Sequence, residues 1–301
     1  MKCSAMVLLL CSLLRPSVAQ TQSVGQASTD WQKAAGGAMT FEVASVREDQ
    51  GPFRPPSFPL NAEDQPFQDP NGRFHANFSL PTYIEFAYKI WLTPTERNTL
   101  LQKFPEWAQK DKFAIEAVAP LHATKDQYRL MMQALLAERF GLKFHFEQRD
   151  QPVLAMVLAK PGKPGPRLVP HDKGPACNEP PKHETFPTWC DAFVGGPSKD
   201  GMLLLGARAV SMDLIVMHIG HSAAIWGETD RPVIDQTGLT GSWDLSLEVA
   251  PPPRTASPQA TEPNGPTMLE AIRDQLGIKL KATHAIVPVP VIDHLATLSE
   301  N

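Results

Sequence analysis

An internal repeat limits the folds that this chain can adopt. Segment 132–143 has the pattern M-x3-L-x3-F-G-L-K, and segment 268–279 has the pattern M-x3-I-x3-L-G-I-K. Upstream, segments 77–80 and 113–117 match segments 209–212 and 245–249 at one constant offset. Because elements that recur in the same order are the signature of a repeated architecture, the sequence predicts one structural unit written twice.

The hydrophobic periodicity of each copy predicts a small mixed unit. Alternating apolar residues predict strands at 112–119 and 243–249, and amphipathic patterns predict helices at 126–140 and 267–276. Glycine, which adopts left-handed backbone angles at helix ends, follows each helix as Gly141 and Gly277. Further predicted elements are a strand at 41–46, a loop at 48–72, a short strand at 73–77, helices capped by Ser79 and Ser211, and hairpins formed by 142–148 with 152–160 and by 278–283 with 287–295.

These elements predict an α+β fold of two duplicated lobes, each a small, mainly antiparallel sheet with helices packed on one face. The predicted boundaries are a signal peptide at 1–19, a flexible N-terminal segment at 20–40, a first lobe at 41–165, a proline-rich linker at 166–200 and a second lobe at 201–301.

The N-terminus has the pattern of a secretory leader. Lys2 precedes an apolar run at 5–14, and Ser17-Val18-Ala19 provides the small-x-small cleavage site. A membrane anchor is the alternative, but this run is shorter than the roughly 20 apolar residues that span a bilayer. Leu9 and Leu10 before Cys11 do not fit a lipoprotein site. We therefore expect an exported, periplasmic or extracellular protein without a transmembrane segment.

The charge of the chain argues against nucleic-acid binding. The formal net charge is −4, and cleavage after Ala19 would leave 26 basic and 32 acidic residues, or −6. The lysines and arginines are scattered among acids, whereas nucleic-acid-binding domains usually carry a basic patch. We expect no nucleic-acid partner.

Cys177 and Cys190 are the two cysteines that lie beyond the leader. In an oxidising compartment, a disulfide between them is expected to brace the proline-rich linker. Metal binding with His171 and His183 is the alternative, but the spacing lacks the short Cys-x2-Cys or His-x3-His pairs of structural zinc sites. The sequence predicts no metal and no cofactor.

A dense motif at 231–244 reads first as turn chemistry. Gly238 and Gly241 can adopt positive φ angles, and Asp235 and Thr237 can bond to nearby backbone groups. Together with blocks 41–47, 113–117, 132–144, 276–280 and 291–294, the motif resembles a secreted family of unknown function with a duplicated domain, found in soil bacteria and expanded in acidobacteria.

Related domains occur fused behind membrane antirepressor-type metallopeptidases, so the resemblance implies a sensing or ligand-binding role. It implies no catalytic residue. The family usually has arginine within the Asp-x-Thr-Gly-Leu turn, where this chain has Gln236.

One enzyme hypothesis starts from residues 220–224, which match a G-x-S-x-G nucleophile elbow except for alanine at the last position. Ser222, then Asp235 or Asp244, then His284 or His294 would follow the chain order of α/β-hydrolases. The repeat argues against this hypothesis, because the equivalent segment after Ser79 reads as a helix.

Other candidates are weaker. His218 and His221 are three residues apart, close enough on a helix to share a metal ion, but the spacing indicates no third ligand, and Asp293 with His294 is a lesser option. Four tryptophans could stack on sugars or peptides, although large aromatics more often fill cores: Trp91, Trp107, Trp226 and Trp243. The leading interpretation is therefore a non-enzymatic binding or interaction protein of the cell envelope, with a serine hydrolase or a structural envelope protein as alternatives.

Overall fold

A computed structural model describes residues 30–65, 67–173, 176–179, 187–198, 201–252 and 265–299. The fold is α+β, as the sequence predicts, with small sheets that are mainly antiparallel. The proposed leader at 1–19 lies outside the described residues. Within the described part of the chain, no helix combines the length and the apolar character needed to cross a bilayer.

The first half of the chain builds a three-stranded antiparallel sheet and a helical layer. The sheet has the order β1-β3-β2, and the apolar residues of sheet and helices form one buried cluster, here called the first core. Its elements are β1 (Val43–Glu48), β2 (Arg73–Phe78), α1 (Leu80–Ala87), α2 (Pro94–Leu101), α3 (Glu106–Lys110), β3 (Phe113–Val118) and α4 (Lys125–Phe140).

Local signals explain where these helices begin and end. Thr124 and Gln127 form a capping box at the start of α4, and Gly141 ends that helix with φ 57°. Ser79 occupies the N-cap position of α1, as predicted, but its side chain makes no capping hydrogen bond. Pro81 removes one of the donors that Ser79 would bind, and the N–H of Thr82 donates to the Ser79 backbone oxygen instead.

The second half builds a four-stranded antiparallel sheet in the order β5-β9-β7-β6. Its apolar residues form the second core together with two helices. Ser211 caps the first of these helices with its side chain, as predicted, and Thr267 caps the second. The elements are β5 (Leu168–Pro170), β6 (Ala192–Pro197), β7 (Leu203–Ser211), α5 (Met212–Ile225), β9 (Ser242–Val249) and α6 (Met268–Gln275).

The two predicted hairpins are wrong. Residues 142–160 contain one continuous strand, β4 (Lys143–Leu158), and residues 278–295 contain another, β10 (Ile278–His294). The two strands pair antiparallel along almost their whole length, and β8 (Val233–Asp235) adds a short parallel strand to β4. Because β10 is at the edge of this sheet, its prolines Pro288 and Pro290 are tolerated there.

This long two-stranded ribbon connects the two cores. Phe144 of β4 and Ile292 of β10 pack against the first core, whereas Met156 and Ile278 at the opposite end are buried in the second core. Each half of the chain therefore contributes a strand to both cores.

Candidate functional site

Segments from both halves of the chain bring perturbed ionisable groups together at one place. The loop after β1 carries Glu63, the segment after α1 carries Trp91, and α5 carries His218 and His221. We call these four residues, together with Phe193 of β6, the ionisable joint.

Aromatic contacts hold the joint together. The indole of Trp91 lies between two imidazoles, with ring centroids 5.0 Å from His218 and 5.0 Å from His221, both edge to face. The His218 ring also stacks on Phe193 at 4.2 Å, with an interplanar angle of 6°. Trp91 comes from the first half of the chain and the other three residues come from the second half, so these contacts tie the two halves together.

Glu63 meets His218 as an acid facing a base. Its Oε1 lies 3.5 Å from the Nε2 of His218, which is a contact rather than a good hydrogen bond. Burial raises the pKa of Glu63 to about 7 and lowers the pKa of His218 to about 4. Because burial disfavours the charged form of both groups, a neutral carboxylic acid faces a neutral imidazole between these two pH values.

A buried arginine positions the Glu63 loop. The guanidinium of Arg129 on α4 is completely buried, and it donates to the backbone oxygens of Asn61 at 3.1 Å and Glu63 at 2.6 Å. It also pairs with Asp64 and Asp126. Removing these bonds would free the loop that presents Glu63 to His218.

Two lysines complete this charged network. Lys89 pairs with Asp64 at 2.8 Å and with Asp126 at 3.3 Å. Lys125 donates to the side chain of Asn61, and burial lowers its pKa to about 8. Perturbed pKa values cluster at functional sites, and groups with pKa values of about 7 and 8 can exchange protons near neutral pH.

The structure does not bring the proposed hydrolase residues together. Ser222 lies within α5, whereas a nucleophile elbow requires a sharp turn between a strand and a helix. Asp235 is opposite Met156 and His294 is opposite Lys143, at the two ends of the ribbon. A strand rises about 3.3 Å per residue, so these two positions are roughly 40 Å apart.

The glycine of this elbow-like motif has a packing explanation. A Cβ atom at Gly220 would lie 2.8 Å from the side chain of Val233, because β8 passes directly over α5 at this point. The motif therefore reflects a close helix–strand contact.

We expect Gly220→Ala to destabilise the protein by about 1–2 kcal/mol, because an overpacking cost of up to about 3 kcal/mol outweighs the roughly 1 kcal/mol that alanine gains in a helix. Denaturant unfolding of Gly220→Ala, Val233→Ala and the double variant would test this. The double variant should recover stability relative to the sum of the single changes. Equal or higher stability of Gly220→Ala alone would contradict the packing explanation.

The motif at 231–244 forms the predicted turn. The Oδ1 of Asp235 accepts from the Thr237 N–H at 2.8 Å, and Gly238 and Gly241 have φ angles of 69° and 80°.

Asp244, the other acid considered for the hydrolase, accepts a hydrogen bond from the ring of His171 at 2.9 Å. His284, the other base considered, is at the middle of the ribbon opposite Pro152.

The four tryptophans occupy different environments. Trp243 is buried in the second core and donates its indole N–H to the backbone oxygen of Thr240. Trp107 and Trp226 are half-buried against the first and second cores, respectively. Only Trp91 contacts perturbed ionisable side chains among the described residues.

The predicted disulfide between Cys177 and Cys190 is confirmed, with a Cα–Cα distance of 5.6 Å. His171 is beside it, and the three possible ligand atoms of His171, Cys177 and Cys190 lie within 4.8 Å of one another. The sulfurs are bonded to each other, so they are not thiolate ligands in this state. His183 lies outside the described residues.

A second candidate surface is the outer face of the first sheet. An open groove of about 400 Å³ crosses it, and the strand register places Val43 and Arg73 on either side of Val118, with Ser45 and His75 on either side of Glu116. Val43 is 66% exposed. The groove is therefore shallow, with apolar and charged side chains next to each other.

Arginines dominate the charge of this face. Arg47 and Arg54 each approach Glu116 to 3.6 Å, and Arg73 lines the groove. Two guanidinium groups thus approach one carboxylate, and a third arginine lines the same groove, on a chain whose net charge is −4.

The chain belongs to the family described as Protein of unknown function (DUF3738), whose model matches residues 81–295. No curated protein and no solved structure matches it.

Proposed function

We propose that this member of the DUF3738 family is an exported, non-enzymatic interaction protein that binds an extended, acidic segment of a protein partner on the outer face of its first sheet. The observation that carries the proposal is the open groove beside β1, with its exposed Val43 and its excess of arginine. An open groove suits an extended chain, whereas small ligands usually bind in enclosed pockets.

The edge strand β1 supports this mode of binding. β1 pairs with β3 on one side only, so its other side can accept the backbone of an added strand. Side chains alternate between the two faces of such a strand. Those on one face of the partner segment would then contact Val43 and the groove.

The positive charge of the groove favours a partner segment that is rich in acidic residues. Arg54 is 58% exposed and Arg47 is 59% exposed, so both can reach a ligand, although their pairing with Glu116 offsets part of the positive charge. Complementary charge contributes mainly to specificity and association rate. An acidic segment should therefore bind faster than a neutral one, and more weakly at high salt.

Export and duplication are part of the proposal. The leader pattern at 1–19 supports export, and the disulfide is compatible with an oxidising compartment. The strand order β1-β3-β2 has the same arrangement as β5-β9-β7, which supports descent from one duplicated unit. Because β5 and β6 belong to the second sheet, we place the start of the second lobe near residue 168 and not at residue 201. The resemblance to domains fused to metallopeptidases supports a sensing role.

Fluorescence anisotropy with extended peptides would test the proposal. We expect acidic peptides to bind more tightly than neutral peptides of equal length, and Val43→Asp to weaken binding at least tenfold. Ile286→Asp is the matched control, because Ile286 is also on a strand and 64% exposed. Equal binding of acidic and neutral peptides, or equal loss in both variants, would refute the proposed groove.

An assay with ester and peptide substrates tests the enzyme alternative. Turnover that Ser222→Ala abolishes would replace the interaction protein with a hydrolase. We expect no such dependence, because Ser222 is within a helix and because Asp235 and His294 lie at opposite ends of the ribbon.

A further inference from the structure

The disulfide has a histidine–aspartate pair aligned on one of its sulfurs. The Nε2 of His171 lies 3.6 Å from the Sγ of Cys177, and the Nδ1 of His171 lies 2.9 Å from the Oδ1 of Asp244. A carboxylate can only accept a hydrogen bond. The proton of His171 is therefore on Nδ1, and Nε2 is the atom that faces the sulfur.

The two sulfurs differ in access. Cys177 is exposed and Cys190 is half-buried, while the side chains of His171 and Asp244 are only 16% and 15% exposed. An external thiol can therefore reach Cys177, and the histidine that would influence its charge is largely shielded from water.

The backbone near each of the two cysteines is held by bonds that do not depend on the disulfide. The buried guanidinium of Arg208 donates to the backbone oxygens of Ala176 and Glu179, which flank Cys177, and of Thr188, which is near Cys190. Asp244 is fixed in turn by the Ala209 N–H at 2.8 Å. Cleavage of the S–S bond would thus leave both sulfurs close to their present positions.

We propose that Cys177–Cys190 is an exchange-active disulfide, in which Cys177 reacts with dithiols of a partner and His171, positioned by Asp244, stabilises the Cys177 thiolate. A purely structural disulfide requires neither an accessible sulfur nor an oriented imidazole. Nucleophilic cysteines in proteins are typically activated by such a neighbouring histidine.

The exchange is balanced with an external dithiol as the co-reactant. One thiolate of the dithiol attacks the Cys177 sulfur, the bond to Cys190 breaks, and its electron pair leaves on Cys190. The second thiolate then attacks its own partner sulfur in the mixed disulfide and releases Cys177 as a thiolate. The dithiol is oxidised, Cys177–Cys190 gains two electrons, and the two protons end on Cys190 and on His171.

Stabilising the thiolate favours the reduced form at equilibrium. We expect His171→Ala to lower the equilibrium constant for reduction by dithiothreitol or glutathione at least tenfold, or about 30 mV. Asp244→Asn should act in the same direction with a smaller effect. The purified protein would be equilibrated in redox buffers containing a chelator and then alkylated, and each cysteine quantified by peptide mass.

His122→Ala is the matched control, because His122 forms an exposed pair with Asp69 at 3.2 Å, away from any cysteine in sequence. Thermal unfolding of the oxidised variants checks that they fold. Equal equilibrium constants for wild type and His171→Ala would overturn the proposal.

The pH profile of alkylation separates activation from a merely structural role. In the reduced protein, iodoacetamide should modify Cys177 before Cys190 at pH 6, and His171→Ala should reduce this preference to the part that the greater exposure of Cys177 gives. Faster modification of Cys190, or an unchanged preference in His171→Ala, would also overturn the proposal.

Discussion

Arg129→Met is expected to lower the free energy of unfolding by about 3 kcal/mol. Loss of one partner of a buried ion pair typically costs about 3–5 kcal/mol, and the lower end applies because Asp64 is 58% exposed and can be solvated. The loss arises mainly at Asp126 and at the backbone oxygens of Asn61 and Glu63, which lose a buried donor.

Arg149→Met is the matched control for this prediction. Arg149 pairs with Glu147 at 2.6 Å, but both side chains are about half exposed. Exposed ion pairs contribute between about 0 and 1 kcal/mol, so the control should unfold at nearly the wild-type denaturant concentration. Urea titrations of both variants would test this, and equal stability of the two would show that the Arg129 network is energetically dispensable.

The helix that carries Arg129 was predictable, but the role of Arg129 was not recognised from it. Lys125, Tyr128, Arg129 and Met132 follow the i, i+3, i+4, i+7 spacing of one helix face. All four are buried. Two positively charged side chains on an otherwise apolar helix face indicate that polar or acidic partners are buried next to them. Apart from Asp126 on the same helix, their partners come from residues 61–64, a loop without periodicity, so no pattern could identify these partners.

The long strands of the ribbon were predicted as hairpins for a different reason. Arg149, Asp150 and Gln151 interrupt the apolar pattern of 142–160, and consecutive polar residues ordinarily indicate a turn. In the structure they lie opposite residues 285–287 in the middle of a continuous strand. The ribbon is exposed where it passes between the two cores. These residues are therefore polar because they face solvent, and not because the chain turns there.

Two helix ends were predictable because they depend on local chemistry. Gly141 ends one helix and Ser211 caps another, as the sequence predicts. The ionisable joint depends instead on contacts between distant segments. Trp91, His218 and His221 were each candidates, but only tertiary structure places the indole between the two imidazoles.

A second prediction concerns how the free energy of unfolding depends on pH. The folded-state pKa of Glu63 is raised from 4.5 to about 7, so its contribution to stability is present below pH 4.5 and is lost as the pH rises towards 7. The folded-state pKa of His218 is lowered from 6.5 to about 4, so its contribution is present above pH 6.5 and is lost as the pH falls towards 4.

These two dependences have opposite signs between pH 4.5 and 6.5, so they nearly cancel in the wild-type protein. Glu63→Gln removes the pH dependence that Glu63 causes and keeps the one that His218 causes. The free energy of unfolding of this variant, relative to wild type, should therefore rise with pH across that window. His218→Gln leaves the Glu63 effect, and its relative stability should fall. One pKa unit corresponds to about 1.4 kcal/mol, and solvent screening of the partly exposed Glu63 reduces the expected change to about 1–2 kcal/mol.

Unfolding titrations at pH 4.5, 5.5 and 6.5 would measure these slopes. Glu106→Gln and His122→Gln are the controls, since both side chains are more than three-quarters exposed. Lys125 and Asp64 also face Glu63, and His221 faces His218, so each slope is taken as a difference from wild type. If the free energy of unfolding depends on pH in the same way for all variants, the pKa values of Glu63 and His218 do not change on folding. Opposite slopes would show that the contact between the two halves of the chain is kept neutral across mildly acidic pH by two buried groups that balance each other.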